Sequence, residues 1–162
     1  MDICAYLDIE TTSLDPSCGD LTVIGLNLDD GKEQRLIQLV GEEISSAKLV
    51  SAIERVNVLY TYNGSRFDLP YIKAKLGVDL TRHYFHYDLM YDCWQRNLYG
   101  GLKAVERQLG IERELTGIDG RMAVQLWSNY KYFGDERFLA TLLKYNREDV
   151  VNLKALRQKL GV

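Results

Sequence analysis

The positions of four acidic residues limit the folds that this chain can adopt. Asp8 ends the apolar run Ile3–Leu7, which is typical of a strand buried on both faces. Asp68 begins a predicted helix soon after another hydrophobic segment, and Asp149 interrupts the apolar stripe of a second helix. A fold that brought these acids and Glu10 together would place four negative charges in one cleft, which is unfavourable unless cations lie between them. The pattern therefore favours a site for divalent metal ions.

The composition predicts a single globular domain over residues 1–162. Apolar residues make up 46% and charged residues 27% of the chain, which are common values for soluble proteins. No apolar run approaches the ~20 residues needed to span a bilayer, and the N-terminus lacks a secretion signal pattern. The three cysteines are widely spaced without a C-x-x-C pair, so neither a disulfide framework nor a zinc site is indicated. We therefore expect a cytoplasmic protein with no membrane contact.

The formal net charge of −3 argues against a generally basic surface. Two divalent cations would neutralise the four acids and leave the rest of the protein near neutral. Basic residues then remain for local phosphate contacts, and Lys103, Arg107 and Arg147 are candidates. The aromatic segment 130–133 could stack bases, although core packing is the preferred interpretation. Net charge therefore decides little about a nucleic-acid partner.

Hydrophobic patterns and turn residues predict strands followed mainly by helices. Strands are predicted at 3–7, 21–26, 34–40 and 58–62, and a fifth candidate covers 84–89. Helices are predicted after Ser45, from an N-cap at Ser65 through Lys75, at 102–109 before Gly110, and after an N-cap at Asp135. This order favours an α/β fold in which a mixed β-sheet is flanked by α-helices.

Each acid also has a structural interpretation when it is considered alone. Alternate strand residues share a face, so Asp8 and Glu10 point to one side at the C-terminal end of the first strand, where α/β sheets usually bind ligands. A solvated strand end explains the same pair. Asp68 in a first helical turn interacts favourably with the helix dipole.

Asp149 is the acid with the most restrictive context. It lies in one stripe of the last helix, with a spacing of 3, 4, 4 and 3 residues along Leu142, Tyr145, Asp149, Leu153 and Leu156. Burying an unpaired carboxylate there would cost several kcal/mol, so it needs a metal ion or an ion pair, for example with an arginine. Tyr145 lies one turn away, where its hydroxyl could reach whatever the carboxylate holds or simply pack in the core.

Three segments resemble the motifs of the DEDD, or DnaQ-like, 3′–5′ exonucleases. Residues 8–15, Asp-Ile-Glu-Thr-Thr-Ser-Leu-Asp, are similar to the first motif, and 62–68, Tyr-Asn-Gly-Ser-Arg-Phe-Asp, to the second. Residues 145–149, Tyr-Asn-Arg-Glu-Asp, are similar to the third motif in its tyrosine form, which defines the DEDDy type. Within this superfamily the chain resembles the ribonuclease H-like domains of the YprB type, which also carry an aspartate like Asp88. The resemblance implies a ribonuclease H-like fold.

The resemblance also implies roles for the site residues. Asp8 bridges two Mg²⁺ or Mn²⁺ ions, Glu10 and Asp149 complete the metal on the side of the nucleophile, and Asp68 supports the other. Such a pair of ions activates the attacking water and stabilises the leaving oxygen. Tyr145 orients that water or helps to deprotonate it. By the same analogy, four further residues hold the terminal nucleotide: Thr12, Leu14, Asn63 and Phe67.

The expected activity is metal-dependent 3′–5′ exonuclease action on single-stranded or frayed DNA or RNA. Two alternatives stay open: an endonuclease of the ribonuclease H type, and a catalytically silent nucleic-acid-binding domain. The expected partner is a nucleic-acid 3′ end, with a helicase or polymerase as a further candidate. Nothing in the sequence distinguishes DNA from RNA or predicts an oligomeric state.

Overall fold

Five strands form one mixed sheet in a computed structural model, which describes residues 3–162. The strands are β1 (Ile3–Thr11), β2 (Leu21–Asp29), β3 (Gln34–Val40), β4 (Val56–Thr61) and β5 (Phe85–Asp88). Their spatial order is β3-β2-β1-β4-β5. β1 pairs antiparallel with β2 and parallel with β4, while β2–β3 is antiparallel and β4–β5 is parallel. The predicted α/β fold with a mixed sheet flanked by helices is therefore confirmed.

Within residues 3–162, six α-helices flank the sheet: α1 (Ser46–Ile53), α2 (Asp68–Leu76), α3 (Leu89–Gln95), α4 (Leu102–Leu109), α5 (Gly120–Phe133) and α6 (Glu136–Leu160). One core joins Ala5 and Leu7 of β1 to α1 and α2. A second core, on the other face of the sheet, joins Tyr6 of β1 to α3, α4 and α6. No helix of the described chain is long and apolar enough to cross a membrane.

The alternation of β1 decides where its acids point. Ala5 and Leu7 face α1 and α2, so Tyr6 and the residues that share its parity, Asp8 and Glu10, face α6. The α6 helix has Asp135 as its N-cap and runs for 25 residues across β1 and β2. The strand therefore presents its acids to the helix that carries Asp149.

Two local predictions differ from the structure. The second helix begins at Asp68 and has Phe67 rather than Ser65 as its N-cap. The reason is that the amide and hydroxyl of Ser65 both donate to Asp88 instead of capping the helix. In the segment 130–133, Tyr132 and Phe133 are exposed at the end of α5, so core packing is wrong for these two side chains.

Candidate metal centre

Three carboxylates from β1 and α6 converge at one end of the sheet. One oxygen from each of Asp8, Glu10 and Asp149 lies within 4.8 Å of the other two. Glu10 and Asp149 are buried, and Asp8 is partly buried. The strand alternation and the helical stripe described above are what bring these groups together. Three of the four predicted metal ligands therefore form one cluster.

Asp68 lies beside this cluster, at the first residue of α2. Its side chain is buried, and its Oδ1 accepts a hydrogen bond from the backbone amide of Ile9, at 3.1 Å. Ile9 lies between Asp8 and Glu10, so this bond ties the start of α2 to the acidic end of β1. The structure thus places the fourth predicted acid next to the other three, but outside the tight group of carboxylate oxygens.

The acids are held in surroundings that disfavour their ionised forms. Burial, then the charge of Asp149, raise the pKa of both Asp8 and Glu10 well above their usual values. Burial also raises the pKa of Asp68 to about 7. Burial raises the pKa of Asp149, and the nearby Lys103 and Arg113 cations oppose that rise. The charged cluster therefore needs compensation by a cation.

The donor set fits a hard divalent cation. Oε1 of Glu10 is buried, and no group in the described part of the chain donates a hydrogen bond to it. A carboxylate oxygen that has no protein donor is a suitable ligand for Mg²⁺ or Mn²⁺. A buried acceptor of this kind costs free energy unless something binds it. Asp8, Glu10 and Asp149, with Asp68 beside them, could therefore hold metal ions.

Asn146 holds the Asp8 carboxylate in place. Its amide nitrogen donates to Oδ2 of Asp8 at 3.1 Å, and its Oδ1 accepts from Gln38 at 3.0 Å. This contact requires Gly25, the β2 residue paired with Asp8, because a β-carbon there would lie 2.1 Å from Oδ1 of Asn146. The sequence offers no signal for this support beyond a glycine inside a predicted strand.

Arg113 is a largely buried cation at the centre, with 9% of its side chain exposed, and the sequence interpretation did not identify it. Its guanidinium donates to Oδ1 of Asp149 at 2.6 Å and to both carboxylate oxygens of Glu106 at 2.9 Å. A third acid, Glu148, lies 3.8 Å from its Nε. The arginine partner considered for Asp149 therefore exists, and it comes from the loop between α4 and α5. Asp149 combines an ion pair with its place in the acidic cluster.

Tyr145 is buried one turn before Asp149 and contacts a lysine. Lys103 donates to the Tyr145 hydroxyl at 2.5 Å, and its ammonium nitrogen lies 4.3 Å from the ring centroid. Burial, followed by the charges of Asp149 and Glu10, raises the pKa of Tyr145, so the phenol stays protonated at neutral pH. Its proton is therefore available for donation to a further group. Lys103, which was only a candidate phosphate contact, lies at the centre itself.

A cavity of about 800 Å³ opens onto the acidic cluster. This is within the usual size of pockets for small ligands. Of the four residues predicted to hold a nucleotide, three line it: Leu14, Asn63 and Phe67. Thr12 lies outside the lining, because its hydroxyl accepts from the Asp20 amide and closes the loop after β1. Thr11 lines the cavity in its place.

Asp88 fixes the wall of the cavity formed by 63–67. It accepts hydrogen bonds from the amides of Asn63 and Ser65, at 2.8 and 3.0 Å, and from the Ser65 hydroxyl at 2.6 Å. It also caps α3 by accepting from the Met90 amide. Asn63 has a φ of 62°, a left-handed conformation that asparagine tolerates better than most residues. Asp88 therefore supports the site without belonging to the acidic cluster.

Comparisons with known proteins agree with this architecture. The family profile described as RNase H superfamily matches residues 5–161. No curated protein matches the chain.

Among solved structures, the family B DNA polymerase of the archaeon Pyrobaculum calidifontis is similar over 99% of this chain, with a TM-score of 0.77 and 20% identity. The chain spans only 24% of that polymerase. Brucella melitensis NrnC bound to pGG has a TM-score of 0.59 and 18% identity, covering 98% of this chain and 73% of its own. E. coli exonuclease I in complex with a dA16 oligonucleotide has a TM-score of 0.50 and 14% identity, covering 88% of this chain and 46% of its own. At these identities the likeness is one of fold.

Proposed function

Because the chain belongs to the RNase H superfamily, we propose that it is a metal-dependent 3′–5′ exonuclease acting on single-stranded or frayed DNA or RNA. The observation that carries the proposal is the convergence of Asp8, Glu10 and Asp149 within 4.8 Å. Three carboxylates this close together are unfavourable without a cation between them, and they are suitable ligands for a metal ion. The direction of hydrolysis rests on the resemblance of the three motifs. The oligonucleotide held by exonuclease I and the pGG held by NrnC, which share this fold, give further support.

The residues of the centre have separate roles in this proposal. Asp8, Glu10, Asp68 and Asp149 would hold two Mg²⁺ or Mn²⁺ ions, which would activate the attacking water and stabilise the leaving oxygen. The protonated Tyr145 hydroxyl, held by Lys103, donates a hydrogen bond that orients the water. Three of the lining residues bind the terminal nucleotide: Leu14, Asn63 and Phe67. A helicase or polymerase partner and a cytoplasmic location remain predictions.

The products of hydrolysis test this function. Single-stranded DNA and RNA labelled at the 5′ end should shorten stepwise with Mg²⁺ or Mn²⁺ and stay intact in EDTA. Discrete internal fragments would instead identify an endonuclease of the ribonuclease H type. Oligonucleotide binding without cleavage in either metal would identify a silent binding domain. Comparison of the DNA and RNA ladders assigns the preferred nucleic acid.

Metal affinity should rise with pH across the neutral range. The raised pKa values mean that part of the cluster binds protons in the metal-free protein, with the pKa of Asp68 at about 7. A metal ion must displace those protons, so its apparent affinity should increase up to about tenfold per pH unit for each proton released and level off above the raised pKa values.

Calorimetry with Mn²⁺ in two buffers of different ionisation enthalpy measures the proton count directly. Equal heats in the two buffers, together with an affinity that does not change with pH, would contradict the assignment of these carboxylates as ligands.

A further inference from the structure

An exposed group of one cation and two aromatic rings lies beside the cavity. Tyr91 and Trp94 on α3 are 42% and 36% exposed, and their rings meet edge to face with centroids 5.5 Å apart. The guanidinium of Arg66 lies 5.8 Å from the centroid of the Trp94 ring. We call Arg66, Tyr91 and Trp94 the aromatic platform. Aromatic side chains this exposed at one place on a surface often mark a contact with a ligand or partner.

The platform is continuous with the cavity. Arg66 lines the cavity, and so does Met90, the neighbour of Tyr91 on α3. The Ser65 hydroxyl lies 3.2 Å from the Tyr91 hydroxyl, and Asp88 bonds both to the loop that carries Arg66 and to the start of α3. The loop and helix are therefore tied together, so that the platform has a defined position next to the mouth of the site.

The chemistry of the platform fits a single strand of nucleic acid. Every base has a face that can stack on an aromatic ring, and an arginine beside the rings can contact a backbone phosphate. The acid nearest in sequence, Asp92, pairs with Arg96 at 3.5 Å, so its charge is partly compensated. Stacking of this kind holds a strand without reading its sequence, which suits an enzyme that shortens a strand one nucleotide at a time.

We propose that the aromatic platform binds the nucleotides that precede the terminal nucleotide of a single-stranded substrate. Trp94 and Tyr91 stack on one or two bases, and Arg66 contacts the phosphate that enters the cavity. The proposal rests on the proposed function for its choice of ligand. It makes the site selective for unpaired strands of several nucleotides, because a base held within a duplex does not expose its face to Trp94.

Binding in EDTA tests the platform without hydrolysis. The affinities of a labelled ten-nucleotide strand and of a labelled mononucleotide should be compared for the wild type and Trp94→Ala. The ten-nucleotide strand should bind roughly tenfold more weakly to the variant, which is the loss expected for one stacked base. The mononucleotide, which has no base to place on the platform, should be affected much less, and Trp94→Phe should restore most of the affinity for the strand.

Arg66→Gln is the second variant, and it removes no packed ring. It should make the negative slope of log affinity against log salt concentration less steep by about 0.7, the value for one phosphate contact on a single strand. The matched control is Phe85→Ala, since Phe85 is 66% exposed and begins β5, at the opposite end of that strand from Asp88. This control should bind both ligands like the wild type.

Three results would overturn the proposal for the platform. The first is wild-type affinity of both variants for the ten-nucleotide strand, and the second is an equal loss of affinity for the strand and the mononucleotide in Trp94→Ala. The third is a dimer of the wild type that Trp94→Ala dissociates. Failure of the proposed function is a separate result. If the protein cleaves no strand in Mn²⁺ but its binding still depends on Trp94, the platform proposal stands and the exonuclease proposal is wrong.

Discussion

Asp8→Asn should abolish metal-dependent hydrolysis and also raise the melting temperature of the metal-free protein. The asparagine has nearly the same shape and can still accept from Asn146, but it loses the charge that a bridging metal ligand needs. We expect the rate to fall at least about a thousandfold, which corresponds to about 4 kcal/mol of activation free energy. A rate loss of this size is expected for a metal ligand and not for a residue that contributes only to packing.

The change in stability follows from the sign of the pKa shift. Burial and the neighbouring acids raise the pKa of Asp8 in the folded protein. The folded state therefore binds this proton more tightly than the unfolded chain, and ionisation of Asp8 lowers stability as pH rises above the unfolded pKa, about 4. Removing the ionisable group should remove that cost at neutral pH.

Both effects of Asp8→Asn can be measured on one preparation. Hydrolysis is followed with Mn²⁺, and the melting temperature is followed in EDTA by circular dichroism. Asp20→Asn is the control, because Asp20 is an exposed acid that pairs with Lys75 at the surface. Wild-type hydrolysis by the Asp8 variant would show that the metal site is assigned wrongly, whereas a large drop in its melting temperature would show that Asp8 has a structural role.

Arg113→Ala should lower the free energy of unfolding by about 3–5 kcal/mol, the range for removing one partner from a buried ion pair. Arg113 is the cation shared by Glu106 and Asp149, and only 1% of the Glu106 side chain is exposed. Without the guanidinium, these carboxylates stay buried with little compensation. Since small domains have a total stability of about 5–15 kcal/mol, this variant approaches the limit of folding.

Urea denaturation in EDTA measures this loss, and Arg137→Ala is the matched control. Arg137 also pairs with an aspartate, Asp135, at 2.6 Å, but 91% of its side chain is exposed, so its removal should cost far less than that of Arg113. Mn²⁺ should stabilise Arg113→Ala more than the wild type, because metal ions then supply the positive charge beside Asp149. An equal cost for the two arginine variants would contradict the buried network.

The parts of the site that depend on the periodicity of a single strand or helix could be predicted from the sequence. The alternation of a strand places Asp8 and Glu10 on one side, and the helical period places Asp149 beside Tyr145. Because each pattern needs only a few neighbouring residues, it is visible in the sequence. The fold class followed from the order of such segments. Membership of the RNase H superfamily confirms the ribonuclease H-like part of the resemblance.

Long-range contacts were not predictable in the same way. Arg113 and Asp149 are 36 residues apart, and Asn146 and Asp8 are 138 apart. Neither pair has a spacing that distinguishes it from other charged or polar residues. The same is true of Ser65. Serine is favoured at N-cap positions, but this one donates to Asp88, 23 residues away. Thr12 was expected at the cavity, but the turn back to Asp20 takes its hydroxyl.

The sequence by itself determined which residues carry negative charge on an apolar strand and an apolar helix, and hence that a cation is needed. The tertiary structure alone decided how that charge is stabilised, by the Arg113 guanidinium on Asp149 and by the Asn146 amide on Asp8, and that Oε1 of Glu10 has no donor within the described residues. The physical reason is range. Periodicity is set by the backbone geometry of a few residues, whereas electrostatic compensation depends on which distant side chains folding brings within a few ångströms.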